Sequence, residues 1–146
     1  MSIPTTSHTV EFPYTRSVGP IIGGFLDGLQ NARILGSRAG GRTLCPALEW
    51  DPNTGAAAEP DLVEVGPEGE ITSWTWVQEP LPTHPLETPF AFALIRMDGA
   101  DTSMVHVVDA PHDDVRTGAR VRPRWRAERE GHIRDIEAFE IVGGGA

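Results

Sequence analysis

Five strand-length runs fill the second half of the chain, and each break between them carries Pro, Gly or Asp. They cover residues 71–78, 90–98, 103–109, 119–129 and 133–142. Each alternates or is continuously apolar, as strands covered on one face or on both must be. Several short strands separated by turn residues predict a small barrel or sandwich. At 146 residues the chain has room for one such domain with an N-terminal appendage.

The appendage divides into three parts. Residues 1–18 are polar and rich in Thr and Ser, and read as an extended arm. Residues 20–30 read as a helix, because Ile21, Ile22, Phe25, Leu26 and Leu29 recur at helical spacing. Pro20 suits its first turn, and Ser17 or Gly19 could cap it. Gly23, Gly24 and Gly28 fall inside it, each costing about 0.5–1 kcal/mol relative to Ala. Such a helix is expected to form only when docked, with the glycines allowing close backbone approach. Its docking surface is either its own barrel or another subunit. Residues 34–38 and 42–45 then form a hairpin around Gly40-Gly41, 51–61 a loop, and 62–65 a short strand. The expected organisation is an arm (1–18), a helix plus ribbon (19–66), a barrel (67–142) and a disordered tail (143–146).

Composition narrows the function. The formal net charge is -9, and all 12 basic residues are Arg. Phosphate neutralisation supplies most non-specific nucleic-acid affinity, so a chain this acidic is a poor general binder. The absence of Lys removes Schiff-base and P-loop chemistry. A single cysteine, Cys45, excludes an internal disulfide and fits a cytoplasmic protein. No run approaches the ~18 apolar residues of a membrane helix, and residues 1–6 do not read as a signal peptide.

Two strands carry more information than the others. Along residues 90–97, Phe90, Phe92 and Leu94 share one face, while Ala91, Ala93, Ile95 and Met97 share the other. Both faces are apolar, so both need cover. Trp74 and Trp76 likewise share a face. The helix and ribbon could supply the cover, or the patch could be a protein interface. Along residues 119–127, Arg120, Arg122, Arg124 and Arg126 line one face against Val121, Pro123 and Trp125. The plain reading is a solvated strand face. The functional readings are a phosphate-bearing ligand or an acidic partner.

No catalytic constellation stands out. The five histidines are scattered, and there is no GxSxG, GxGxxG or Walker motif. His106, inside a strand, reads as a satisfied core or surface residue. His112-Asp113-Asp114 reads as a solvated turn, and Cys45 as a small hydrophobe.

The order of these pieces resembles the acyl-CoA-associated zinc-ribbon/OB-fold family, long known as a domain of unknown function. The matching residues are Val63-Glu64-Val65-Gly66, Gly69-Glu70-Ile71-Thr72-Ser73-Trp74-Thr75 and the run from Pro89 to Asp98. The run from Asp113 to Val121 matches the start of the fourth barrel strand, and Glu137-Ala138-Phe139-Glu140 the final strand. The resemblance covers roughly residues 20–142 and implies a five-stranded OB-fold barrel preceded by a helix and a ribbon. Family ribbons carry two Cys-x-x-Cys knuckles. Here those positions read Ser37/Gly40 and Asp51/Thr54, which implies a degenerate, metal-free ribbon.

Within the family the chain is similar to the OB domain of an actinobacterial steroid side-chain hydratase subunit. That resemblance implies a partner: a thiolase-fold, lipid-transfer-protein-like aldolase of cholesterol catabolism. The chain would be a non-catalytic accessory subunit of an aldol-lyase complex cleaving a steroid acyl-CoA by retro-aldol reaction. It would need no cofactor or metal, and would contribute no catalytic residue. A heterotetramer built on the partner's homodimer is expected, with the acyl-CoA at or near the interface. The expected interface residues are Ile21, Ile22, Phe25, Leu26, Leu29, Trp74, Trp76, Phe90 and Phe92. Arg120, Arg122, Arg124 and Arg126 are candidate contacts for CoA phosphates. Two other classes remain open: an OB-fold binder of single-stranded nucleic acid, and a stand-alone acyl-CoA-binding protein.

Overall fold

The computed structural model describes residues 3–13 and 17–143. Residues 144–146 of the expected tail lie outside the described residues, as do 1, 2 and 14–16 of the expected arm. Residues 3–13 are exposed and carry no regular secondary structure.

Helix α1 spans Pro20–Gln30. Ile21, Phe25 and Leu29 recur every four residues, so they stack on one face, and all three are buried. That face packs against β1 (Leu35–Ala39), β3 (Leu62–Glu64) and a 3-10 turn at Ile133–Asp135. The docking surface belongs to the chain itself, but it is the sheet of β1 and β3 with the 3-10 turn, where the sequence reading names the barrel or another subunit. Gly28 permits the approach: a Cβ there would lie 2.9 Å from Leu35 Cδ1 and 3.2 Å from the Arg33 carbonyl oxygen. Neither Ser17 nor Gly19 caps the helix with a side chain; Gly19 takes the N-cap position with φ 82°. Instead the backbone N–H groups of Ile21 and Ile22 donate to Glu49 Oε1 at 3.0 and 3.1 Å. A distant carboxylate thus satisfies two otherwise unpaired donors and complements the positive end of the helix dipole.

β1 pairs antiparallel with both β2 (Arg42–Leu44) and β3, giving a small sheet of order β2-β1-β3. The β1–β2 turn is Gly40-Gly41, with φ 60° and 76°. Both lie in the left-handed region that a tight two-residue hairpin requires.

Five strands close the barrel. They are β4 (Gly69–Val77), β5 (Phe90–Met97), β6 (Met104–Val108), β7 (Arg120–Trp125) and β8 (Ile136–Ile141). Their order is β4-β5-β6-β8-β7, and β7 returns to β4 through Gly69 opposite Val121 and Glu70 opposite Arg120. All pairings are antiparallel except β6 with β8, which is parallel at Val108 and Phe139. This is the five-stranded barrel the sequence predicts, with OB-fold connectivity. Ile71, Ile95, Val108, Val121 and Phe139 are fully buried in its core.

Two strands are shorter than their sequence pattern by four residues or more. The run 119–129 leaves the sheet after Trp125, following a register shift between Arg124 and Trp125. The run 133–142 begins with the 3-10 turn before β8. That turn is locked by Asp135, whose carboxylate accepts the N–H groups of Glu130, Gly131 and His132 at 3.0, 2.7 and 3.1 Å. Burial pushes the Asp135 carboxyl up, but these donors outweigh it and hold it below the usual carboxylate range. Alternating hydrophobicity carries no trace of such a side-chain-to-backbone lock.

Candidate functional site

The four knuckle positions are Ser37, Gly40, Asp51 and Thr54. A Cβ built on Gly40 would lie 2.6 Å from Asp51 Oδ2 and 3.2 Å from Thr54 Oγ1, so three of the four positions converge. Ser37 is otherwise engaged: its hydroxyl donates to the Leu48 carbonyl and accepts the Leu48 N–H, both at 3.0 Å. What converges is one carboxylate and one hydroxyl, and a guanidinium already sits on the carboxylate. Arg42 Nη2 lies 3.0 Å from Asp51 Oδ1. Zinc needs about four N, S or O ligands, and a fixed cation on the same carboxylate repels it further. These residues do not fit zinc. Among the described residues, no group of three or more His, Cys, Asp or Glu is placed to hold a metal ion. Arg42 instead holds the Asp51 carboxyl below the usual carboxylate range, and the Asn53 N–H adds to this at 2.9 Å.

The expected interface residues fall into two groups. Ile21, Phe25, Leu29 and Phe90 are buried within this chain and present no side chain to a partner. Ile22, Leu26, Trp74, Trp76 and Phe92 are half-buried. Trp74 and Trp76 pack against the core, and the His112 ring stands edge-on to both, at 5.9 and 5.1 Å between centroids. The turn His112–Asp113–Asp114 therefore serves as an aromatic cover, with Asp113 exposed and Asp114 half-buried.

The four arginines are not one patch. Arg120 is bidentate on Asp98 and also meets Glu68 at 3.6 Å. Arg122 meets Glu140 at 3.6 Å. Arg124 is surrounded by Asp109, Glu137 and Glu140 at 3.0, 2.6 and 3.2 Å, and these carboxylates raise its pKa. Those three charges are neutralised within the chain. The register shift in β7 separates Arg126 from them, and its guanidinium has no ion-pair partner among the described residues.

Arg126 lines a groove of about 590 Å³. One wall is the β4–β5 loop, residues 82–86; the other is the segment from Ile133 to Glu137. Phe92, Val105 and Val107 of β5 and β6 form the floor. The loop is shaped by His84, whose Nδ1 accepts the Leu81 N–H at 3.0 Å and whose ring packs edge-on to Phe90 and Phe92 at 5.4 and 5.7 Å. At the far wall, His106 Nδ1 accepts the Val107 N–H at 2.9 Å, which leaves Nε2 to donate to the Ile133 carbonyl at 3.4 Å. Burial keeps His106 below the usual imidazole range, so at neutral pH it is an uncharged tie between β6 and the 3-10 turn. The sequence misses Arg134 and His84 as groove residues, because they come from loops that no local pattern brings together.

The remaining nucleophile is inert. Cys45 is fully buried, and desolvation pushes its thiol up to about 12. A thiol in that state supplies no thiolate at neutral pH.

Comparison with known proteins agrees with this architecture. Residues 62–126, just under half of the chain, match the family model of the ChsH2 C-terminal OB-fold domain. Among solved structures, the fold is similar to a chain of the Ltp2-ChsH2(DUF35) aldolase. The TM-score is 0.61 at 18% identity, over 87% of this chain and 98% of that one. It is also similar to a protein of unknown function from the DUF35 family of Sulfolobus solfataricus. There the TM-score is 0.63 at 22% identity, over 85% of this chain and 83% of that one. A search of curated proteins found no match. At these identities the structural likenesses establish the fold, and they extend well beyond the barrel. Residues 62–126 are thus similar to the C-terminal OB-fold domain of ChsH2, and the two solved structures share the fold of the chain.

Proposed function

We propose that this chain is a non-catalytic accessory subunit of an aldolase complex. The observation that carries this is the match of residues 62–126 to the ChsH2 C-terminal OB-fold domain. The likeness to a chain of the Ltp2-ChsH2(DUF35) aldolase supports it over nearly the whole of that chain. The finer reading is a thiolase-fold, lipid-transfer-protein-like partner in the cytoplasm that cleaves the side chain of a steroid acyl-CoA by retro-aldol reaction. The partner would hold the catalytic residues, and the assembly would be a heterotetramer on its homodimer, with the acyl-CoA at or near the interface. In support, Cys45 is buried and protonated, and His106 is tied to backbone on both ring nitrogens.

The surface we assign to the partner is Ile22 and Leu26 of α1 together with Trp74 and Trp76. Large, partly exposed apolar side chains of this kind anchor interfaces, whereas rim charges contribute little. The arginines of β7 are paired within the chain, which argues against an electrostatic interface on that strand.

The reading is tested by co-expressing the chain with a thiolase-like protein from the same source. Co-elution on size exclusion, with retro-aldol turnover that requires both chains, supports it. Turnover by this chain alone, or full turnover by the partner alone, rejects it.

A further inference from the structure

We infer that the groove over β5 and β6 is a binding site for a small anionic amphiphile, its carboxylate or phosphate head held by Arg126 and Arg134. This does not depend on the aldolase assignment.

The first observation is which arginines are left without partners. Among the described residues, Arg33, Arg42, Arg96, Arg120, Arg122 and Arg124 make ion pairs, and Arg38 and Arg129 donate to a hydroxyl and to carbonyls. The guanidinium groups of Arg116, Arg126 and Arg134 have no partner among them. In a chain with a net charge of -9, carboxylates are not scarce, yet two of these three arginines face one groove. The carboxylate lining that groove, Glu137, is already engaged by Arg124 at 2.6 Å. Neither guanidinium group makes an ion pair among the described residues, although Glu128, Glu130 and Asp135 line the neighbouring concavity with Arg126. Planar forked donors of this kind suit a carboxylate or phosphate. His84 adds a third donor: with Nδ1 accepting the Leu81 N–H, its proton sits on Nε2.

The second observation is the apolar surface beside those charges. Val105, in mid-strand, is 63% exposed, and Ile133 is also exposed. With half-buried Phe92 they give an apolar bed next to the arginines. A volume of about 590 Å³ is that of a small-molecule site. The loops flanking this face of an OB barrel are where the fold commonly binds ligands. A single-stranded nucleic acid is the less favoured occupant. It would need successive stacking platforms, and Trp74, Trp76 and Trp125 all lie outside the groove lining.

The test is calorimetric titration of the full chain with decanoate and with decyl phosphate, both below their aggregation concentrations. Decanol, inorganic phosphate and a thymidine dodecamer serve as comparisons. Saturable binding of either anionic probe at one per chain is expected, and the preferred probe identifies the head group. R126Q/R134Q weakens that binding about tenfold or more, as loss of hydrogen bonds to a charged group implies. R116Q, which removes the third unpaired arginine away from the groove, leaves it unchanged. A Val105→Glu variant, altered at an exposed position that can fold, also loses it. Equal binding of decanol, undiminished binding by R126Q/R134Q, absence of binding by both anionic probes, or tighter binding of the dodecamer overturns the inference.

Discussion

The guanidinium of Arg42 lies 3.0 Å from one carboxylate oxygen of Asp51, and the other oxygen lies against Gly40 at the turn between β1 and β2. The pair joins the two segments that a ribbon's knuckles would occupy. Asp51 is 1% exposed, so its charge depends on Arg42 and on local backbone donors. Removing one partner of a buried pair leaves the other uncompensated, which costs far more than removing both. Asp51→Asn is therefore expected to lower Tm by about 5 °C or more, and an Arg42→Met/Asp51→Leu double variant by less than Asp51→Asn alone. Because the Asp51 pKa is depressed, its contribution is complete above the ordinary value of 3.8 and fades as pH falls below it. Added zinc should leave the wild-type Tm unchanged. Thermal unfolding checks all four statements, and one zinc per purified chain would contradict the last.

Glu49 supplies the helix cap that the sequence around residue 19 lacks. Glu49→Ala exposes the N–H groups of Ile21 and Ile22 and is expected to destabilise by about 0.5–2 kcal/mol, as cap losses do. Urea unfolding followed by circular dichroism measures this. A variant as stable as the parent would show that the cap is dispensable.

What the sequence made legible follows period and turn chemistry. The helix is bounded as its apolar spacing predicts, at Pro20–Gln30, and the barrel strands appear in the predicted order. The failures share one cause. Strict alternation groups the Arg126 side chain with Arg120, Arg122 and Arg124, and the shift at Arg124/Trp125 breaks that alternation. The cap from Glu49, the clasp of Arg42 on Asp51 and the lock around Asp135 are side-chain contacts. Periodicity of apolar residues is blind to them. The groove is likewise made of five separate segments that meet only when the barrel closes.

His106 gives a pH signature. Its pKa is held below the ordinary 6.5, so the unfolded chain binds the proton more readily than the folded one. The contribution of His106 to stability is complete above about pH 6.5 and is lost as pH falls through its depressed folded value. Protonation also removes the acceptor for the Val107 N–H. Tm should decline on acidification from neutral pH, well above the Asp51 window, and His106→Gln should flatten that decline. A decline of equal size in the variant would assign it to other groups.

Phe25 is 4% exposed, so Phe25→Ala reports on folding rather than assembly and should cost about 3–5 kcal/mol. The assembly surface is better probed at Trp76 and Leu26. Trp76→Ala should weaken retention by the partner by about 2 kcal/mol or more, and Arg122→Ala by little. Retention of folded variants on immobilised partner decides this. Dissociation by Arg122→Ala alone would make the interface electrostatic.

The most direct measurement of the central claim is retro-aldol turnover of a steroid acyl-CoA by three samples: this chain, the purified thiolase-like partner, and the two co-expressed. The account predicts turnover in the co-expressed complex, none from this chain, and much-reduced turnover from the partner alone. Turnover by this chain alone, or a partner equally active without it, would contradict the account.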